Sequence, residues 1–278
     1  MGALLSLALA AAAAPARDVE HHDRAALALG DSVAFGYVTQ AGHEYVDASN
    51  FIRSPEYVAG LLDLDLANAS CPGETSGSFV SAHATDNGCR AYRAEFPLHV
   101  GYAGTQLEFA TKYLARHRDT RLVSIGLGAN DILLLQDGCA ADPDPPLCIQ
   151  TALPAVLAAV GTNMASILEQ LRNTGFGGVI VLVNYYSLDY SDPAATGIVQ
   201  LLNQALAAPA AAYGAVIADV FQAFRQEVSG PGLALNPCYA GLLNVNPQNP
   251  ALCDVHPTQS GQRLIARTIS AAYHATTW

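Results

Sequence analysis

Leu27-Ala-Leu-Gly-Asp-Ser-Val-Ala-Phe-Gly36 is a short apolar run that stops at Gly-Asp-Ser near the start of the chain. An apolar run of this length closed by glycine reads as a buried strand. A small polar residue just past its end sits where open α/β folds place their ligands, at the carboxyl edge of the sheet. Ser32 is therefore a candidate nucleophile. The same residues also admit a local reading, in which Asp31 and Ser32 only turn the chain or cap the next helix. On this stretch alone the local reading has the better claim.

Outward from that strand, segments with strand and helix patterns alternate. Ser54 to Leu62 carries a capping residue, a proline in the first turn and apolar residues at helical spacing, and Leu64 to Asn68 reads as a second short strand. Thr105 to Glu108 is a capping-box pattern opening a helix whose apolar side holds Leu107, Ala110 and Leu114. Arg121 to Leu127 reads as a third strand running into Gly128-Ala-Asn-Asp131. The next helix shows Leu153, Val156, Leu157, Val160, Met164, Ile167, Leu168 and Leu171 on one face, a stripe that belongs to a core. Gly178 to Asn184 is continuously apolar, so it predicts a central strand covered on both faces. Ile198 to Tyr213 predicts a helix, Ala215 to Val220 a fifth strand, and Pro257 to Tyr273 a final helix buried along Leu264, Ile265, Ile269 and Tyr273. Such alternation implies an α/β fold, a parallel sheet with helices on both faces joined by right-handed crossovers. Three stretches, 71–103, 136–149 and 229–256, read as long irregular loops that build a site.

The 278 residues are half apolar, enough for one large core, and a single domain over residues 17–278 is expected. The formal charge of -11 argues against nucleic acid or an anionic membrane as partner, since both attract basic surface. Residues 1–16 read as an export signal: an apolar run from Ala3 to Ala14 ends in the small-x-small pattern Ala14-Pro-Ala16, and the run is too short to span a bilayer. Export to an extracellular, disulfide-forming compartment agrees with six cysteines that fall into near neighbours. Connectivity cannot be deduced from sequence. The expected pairing is Cys71 with Cys89, Cys139 with Cys148 and Cys238 with Cys253, because each pair brackets a loop that needs pinning. No Cys-x-x-Cys occurs, so neither zinc nor thiol redox chemistry is indicated, and no metal or cofactor is expected. Asp142 to Pro146 reads as a stiff solvated loop, and His21, His22 and Asp23 as part of a mobile terminus rather than a metal site. A monomer without membrane insertion is expected.

Chemistry enters from four separated places. The first strand ends at Ser32, the second leads through Asn68 to Cys71-Pro-Gly73-Glu-Thr, the third ends at Gly128-Ala-Asn130-Asp, and Cys253-Asp-Val-His256-Pro precedes the last helix. In a parallel sheet the first three emerge on one edge, which the histidine can reach. Nucleophilic catalysis needs that convergence, with a base within about 3 Å of the serine and fixed donors facing the oxyanion.

These blocks resemble those of the SGNH hydrolases, also called GDSL-type esterases and lipases. Gly30-Asp-Ser-Val matches the first block, Asn68 with Gly73 the second, Gly128-Ala-Asn130-Asp131 the third and His256-Pro257 the fifth. The resemblance implies a flavodoxin-like three-layer α/β/α sandwich around a five-stranded parallel sheet, and ester hydrolysis through an acyl-enzyme. It assigns Ser32 as nucleophile, His256 as general base, and Ser32 N–H, Gly73 N–H and the Asn130 amide as the oxyanion hole. The family's acid usually stands three residues before the histidine; here that position is Cys253, and Asp254 stands two before. Either Asp254 bends back to orient the imidazole, or a backbone carbonyl accepts the imidazole N–H in a Ser-His dyad, the version preferred on sequence.

Competing enzyme motifs fit poorly: Ser32 is not followed by x-Gly as in a nucleophile elbow, and Gly126-Leu-Gly128 lacks the third glycine of a dinucleotide loop. The resulting expectation is a secreted esterase or lipase with lipid acyl esters as substrates. The alternatives are a carbohydrate acyl (acetyl) esterase and a non-catalytic binding protein on the same fold.

Overall fold

A computed structural model describes residues 24–39, 42–51 and 53–276. The export signal expected at residues 1–16 and the cluster of His21, His22 and Asp23 lie outside the described residues. Strands β1 (Ala25–Gly30), β2 (Asp65–Asn68), β3 (Thr120–Gly126), β4 (Val179–Val183) and β5 (Ala215–Ala218) form one parallel sheet in the order β2-β1-β3-β4-β5. Alternate side chains of a strand point to opposite faces, and the apolar runs supply both faces. Leu27, Leu29, Val123, Ile125, Ile180 and Leu182 enter one core, whereas Ala26, Leu122, Val181 and Ala218 enter the other.

The helices are α1 (Ser32–Phe35), α2 (Ser54–Leu62), α3 (Ser76–Val80), α4 (Cys89–Glu95), α5 (Gln106–Arg116), α6 (Ala129–Cys139), α7 (Pro145–Asn173), α8 (Pro193–Ala207), α9 (Val220–Val228) and α10 (Gln259–His274). Buried residues of α5, α6, α7 and α8 cover the first face, and those of α2, α9 and α10 the second. The result is the three-layer α/β/α sandwich. Helix α7 is long and apolar enough to cross a membrane by length and composition, yet its stripe from Leu153 to Leu171 packs into the first core.

The chain leaves β1 toward β2 on one side and returns to place β3 on the other. The crevice at the carboxyl ends of β1 and β3 is therefore the switch point, where no crossover covers the sheet edge. Ser32 follows β1 and Asn130 opens α6 after β3, so the topology brings both to that crevice.

Several boundaries differ from the sequence reading. The stretch 71–103 contains α3 and α4, and 229–256 contains an antiparallel pair, β6 (Leu243–Val245) with β7 (Cys253–Pro257). The loop at 136–149 shrinks to 140–144, because α6 runs to Cys139 and α7 begins at Pro145. There the Asp144 side chain accepts the Leu147 N–H, and the prolines, which carry no N–H, occupy first-turn positions where an N–H would have no intrahelical partner. Helix α8 starts at Pro193, capped by Asp192, and Ala210–Tyr213 is a separate 3-10 turn. The fifth strand stops at Ala218 because Asp219 caps α9. Disulfides join Cys71 to Cys89, Cys139 to Cys148 and Cys238 to Cys253.

Candidate active site

The end of β1 is locked before it reaches the serine. Gly30 N–H donates to Gln106 Oε1 at 2.6 Å, and Gly30 O accepts from Gln106 Nε2 at 3.0 Å and from Cys71 N–H at 3.0 Å. A Cβ at Gly30 would lie 2.0 Å from the Gly126 carbonyl, so only glycine lets β1 pass β3 this closely. Asp31 then performs the local role read from sequence: its Oδ1 accepts the Val33 N–H at 2.9 Å and caps α1. Its Oδ2 accepts the Tyr185 hydroxyl at 2.5 Å. Asp31 is 1% exposed, and this burial pushes its carboxyl up to about 6 despite those hydrogen bonds. Capping and display of Ser32 are thus two consequences of one turn.

Ser32 Oγ stands 3.1 Å from His256 Nε2, and His256 Nδ1 stands 2.7 Å from Asp254 Oδ1. The same carboxylate oxygen accepts the His256 backbone N–H at 2.8 Å. An acid two residues before its histidine reaches the ring because it folds back over its own i+2 amide. Nδ1 therefore faces a carboxylate rather than the backbone carbonyl preferred on sequence; the nearby Val255 carbonyl accepts the Tyr186 hydroxyl instead. Burial works against the Asp254 charge, but hydrogen bonds from His256 and Thr39 outweigh it and hold the carboxyl below its usual range. Thr39 Oγ1 is also 2.9 Å from His256 Nδ1. Asp254 and His256 are only 6% and 8% exposed, so water competes little for these bonds.

Asn130 and Gly73 close the other side. Asn130 Nδ2 donates one hydrogen to Glu74 O at 2.9 Å, and Asn130 Oδ1 accepts from Asn87 Nδ2 at 2.9 Å. These contacts fix the orientation of the amide and leave its second hydrogen for a ligand. Asn87 N–H also donates to Gly73 O at 2.7 Å, and a Cβ on Gly73 (φ +82°) would lie 2.2 Å from Asn87 O. Among the described residues, neither Ser32 N–H nor Gly73 N–H donates to a protein acceptor. Beneath the loop, Glu74 accepts from Ser78 Oγ and from Gln106 Nε2 at 3.0 Å, and burial raises its carboxyl to about 7. Glu74 also lies beside the sulfurs of Cys71 and Cys89, but these are bonded to each other and are not thiolate metal donors.

Residues 28–264 match the GDSL-like lipase/acylhydrolase family. The chain belongs to that family. It is a carboxylic ester hydrolase, and the four blocks read from sequence meet at its crevice. No curated protein matches the chain. Three solved structures share the hydrolase fold. Phospholipase A1 from Streptomyces albidoflavus NA297 is 17% identical over 90% of this chain and 99% of its own, with a TM-score of 0.58. A catalytic mutant of an acetylxylan esterase from Geobacillus stearothermophilus is 15% identical over 91% and 95%, with a TM-score of 0.57. A lipase from a goat rumen metagenome is 16% identical over 90% and 98%, with a TM-score of 0.53.

Two recesses of this GDSL-like hydrolase meet at Ser32. One, about 160 Å³, is walled by Ile132, Leu133, Ile198, Val199 and Leu202 and reaches between α6 and α8. The other, a groove of about 400 Å³, holds His256, Gly73, Asn87, Tyr37, Tyr92 and Glu95. A larger groove of about 570 Å³, lined by Arg93 and Tyr102 among others, touches none of Ser32, Asn130 and His256. Sequence reasoning did not find Thr39 or Asn87. Neither lies in a pattern that points inward; only the Asp86-Asn87-Gly88 turn before Cys89 marks the second as a place where the chain bends.

Proposed function

We propose that the protein is a secreted serine esterase of lipid acyl esters that works through an acyl-enzyme on Ser32. His256 Nε2 takes the Oγ proton as Ser32 attacks the ester carbonyl. The N–H groups of Ser32 and Gly73 and the Asn130 amide stabilise the charge that develops on the carbonyl oxygen. Asp254 keeps the proton on Nδ1, so that Nε2 is free to accept, and it stabilises the imidazolium that forms. His256 then gives the proton to the departing alcohol, and water, deprotonated by the same nitrogen, releases the acid.

The observation that carries the lipid preference is the apolar recess of about 160 Å³ opening at Ser32. Burial of apolar acyl carbons there is favourable at about 0.8 kcal/mol per methylene. An acetyl group would leave most of that space empty, which disfavours the carbohydrate acetyl esterase reading. The three disulfides and the apolar start of the chain support an extracellular location. The test compares kcat/KM for 4-nitrophenyl hexanoate with turnover of an acetylated xylose oligosaccharide. Faster cleavage of the hexanoate is expected, and equal or better turnover of the acetylated sugar would contradict the lipid assignment.

A further inference from the structure

We propose that the enzyme selects esters of uncharged alcohols, with Glu95 at the mouth of the 400 Å³ groove turning away anionic alcohols such as phosphorylated glycerol. This rests on the serine-hydrolase reading above and extends it from the acyl group to the alcohol.

The chemistry fixes which recess takes which half of the ester. His256 Nε2 must hand its proton to the leaving oxygen, so the alcohol lies on the side of the imidazole. The apolar recess has no wall made by His256, whereas the 400 Å³ groove does. The acyl chain therefore enters the first and the alcohol occupies the second.

The groove offers an alcohol neutral hydrogen-bonding groups, in the Asn87 amide and the Tyr37 hydroxyl. Among the described residues that line it, the acidic or basic side chain besides His256 is Glu95, exposed at the end of α4. The arginines of the same helix are committed elsewhere. Arg90 pairs with Asp86 at 2.7 Å and donates to the carbonyls of Ala82 and Ala84. Arg93 donates to the carbonyls of Tyr102 and Gly104, and its guanidinium stacks over Tyr102 at 4.3 Å. Both line the 570 Å³ groove on the other side. A phosphate entering the alcohol groove would shed water, find no lysine or arginine among the described residues lining it and face a carboxylate, while the chain's charge of -11 adds repulsion of the same sign. A glycerol hydroxyl meets no such penalty. Discrimination thus comes from a repulsive element, not from an added contact to the preferred substrate.

The experiment uses a matched soluble pair, 1-hexanoylglycerol and 1-hexanoylglycerol 3-phosphate, which differ only in the phosphate. At low ionic strength kcat/KM is expected to favour the neutral ester by about tenfold or more, and added salt narrows the gap. Glu95→Lys is expected to raise the phosphate-to-neutral ratio by about fivefold or more, and Glu95→Gln to raise it by less. Equal turnover of the two esters by the wild type, or preference for the phosphate, overturns the inference. An unchanged ratio in both variants overturns the role of Glu95. If Ser32 still reacts with a fluorophosphonate in those cases, the hydrolase reading stands and only the alcohol assignment falls. If neither ester is cleaved and Ser32 does not react, both fall together.

Discussion

Replacing Ile198 with tryptophan puts an indole into the wall of the recess assigned to the acyl chain. The space there is about 160 Å³ and is apolar on nearly every side. An engineered protein cavity of about 150 Å³ holds benzene, so this recess takes about six carbons. Each methylene that enters it gains about 0.8 kcal/mol, or roughly fourfold in kcat/KM. From acetyl to hexanoyl that amounts to about 3 kcal/mol, roughly a 200-fold rise, and this is an upper value because one side of the recess opens to solvent. The series of 4-nitrophenyl esters from acetate to decanoate, followed by absorbance, should climb to hexanoate and then level off. With Ile198→Trp the hexanoate-to-acetate ratio should fall to about ten, because the added side-chain volume takes the space of about two of the four methylenes. Labelling of Ser32 by a small fluorophosphonate at the wild-type rate would show that the site itself is intact. A flat series in the wild type would show that the recess does not take the acyl chain, as would an equal loss on acetate and hexanoate in the variant.

Other expected outcomes concern the residues around Ser32. Asp254→Asn should lower kcat by about a thousandfold, since the amide leaves the imidazole in the wrong tautomer, whereas a loss within tenfold would return the orienting role to a carbonyl. Thr39→Val should lower kcat by about tenfold at constant KM with Thr39→Ser restoring it, as a hydroxyl bracing a charged pair predicts; no change in either variant would remove Thr39 from the relay. Asn130→Ala should lower kcat by about 10²- to 10³-fold, and Asn87→Ala by less, because it holds the Asn130 amide in place and does not itself face the oxyanion. Equal or larger loss in Asn87→Ala would mean that Asn87 itself touches the oxyanion. Asp31 sits at about 6 in the folded chain against an ordinary 3.8, so the native state holds this proton more tightly than the unfolded state. Stability from this group is full below about pH 4 and falls as pH rises through 6, by on the order of 3 kcal/mol. Urea midpoints from pH 4 to 7 should show that fall in the wild type and a flatter profile in Asp31→Asn, and parallel profiles would contradict the assignment.

Much of the sandwich is legible in sequence because its strands are unmixed apolar runs. Val179 to Val183 reads as a strand covered on both faces, because it is short and β-branched, and the stripe from Leu153 to Leu171 reads as a core helix far more readily than as a cofactor box. Ser32, Gly73, Asn130 and His256 are legible for a related reason: each follows a strand or precedes a helix, so a parallel sheet converges them. What sequence did not show depends on distant backbone. Whether Asp254 reaches the imidazole is decided by the turn of β7 over the His256 amide, not by the spacing to the histidine. Thr39 and Asn87 lie in loops with no periodicity, and their roles exist only through contacts 217 and 43 residues away. The start of α7 was masked by Pro145 and Pro146, which look like loop residues but suit a first turn. Helix α9 is a different case, since Phe221, Phe224 and Val228 carry helical spacing that was readable.

In the proposed mechanism Ser32 forms the covalent acyl intermediate with His256 as its base. A hexanoyl-like alkyl fluorophosphonate, incubated with the folded chain and followed by intact mass and peptide mapping, tests it directly. One adduct per chain is expected, located on Ser32, absent in Ser32→Ala and slowed by orders of magnitude in His256→Ala. No adduct on folded protein, or an adduct on another residue, would contradict it.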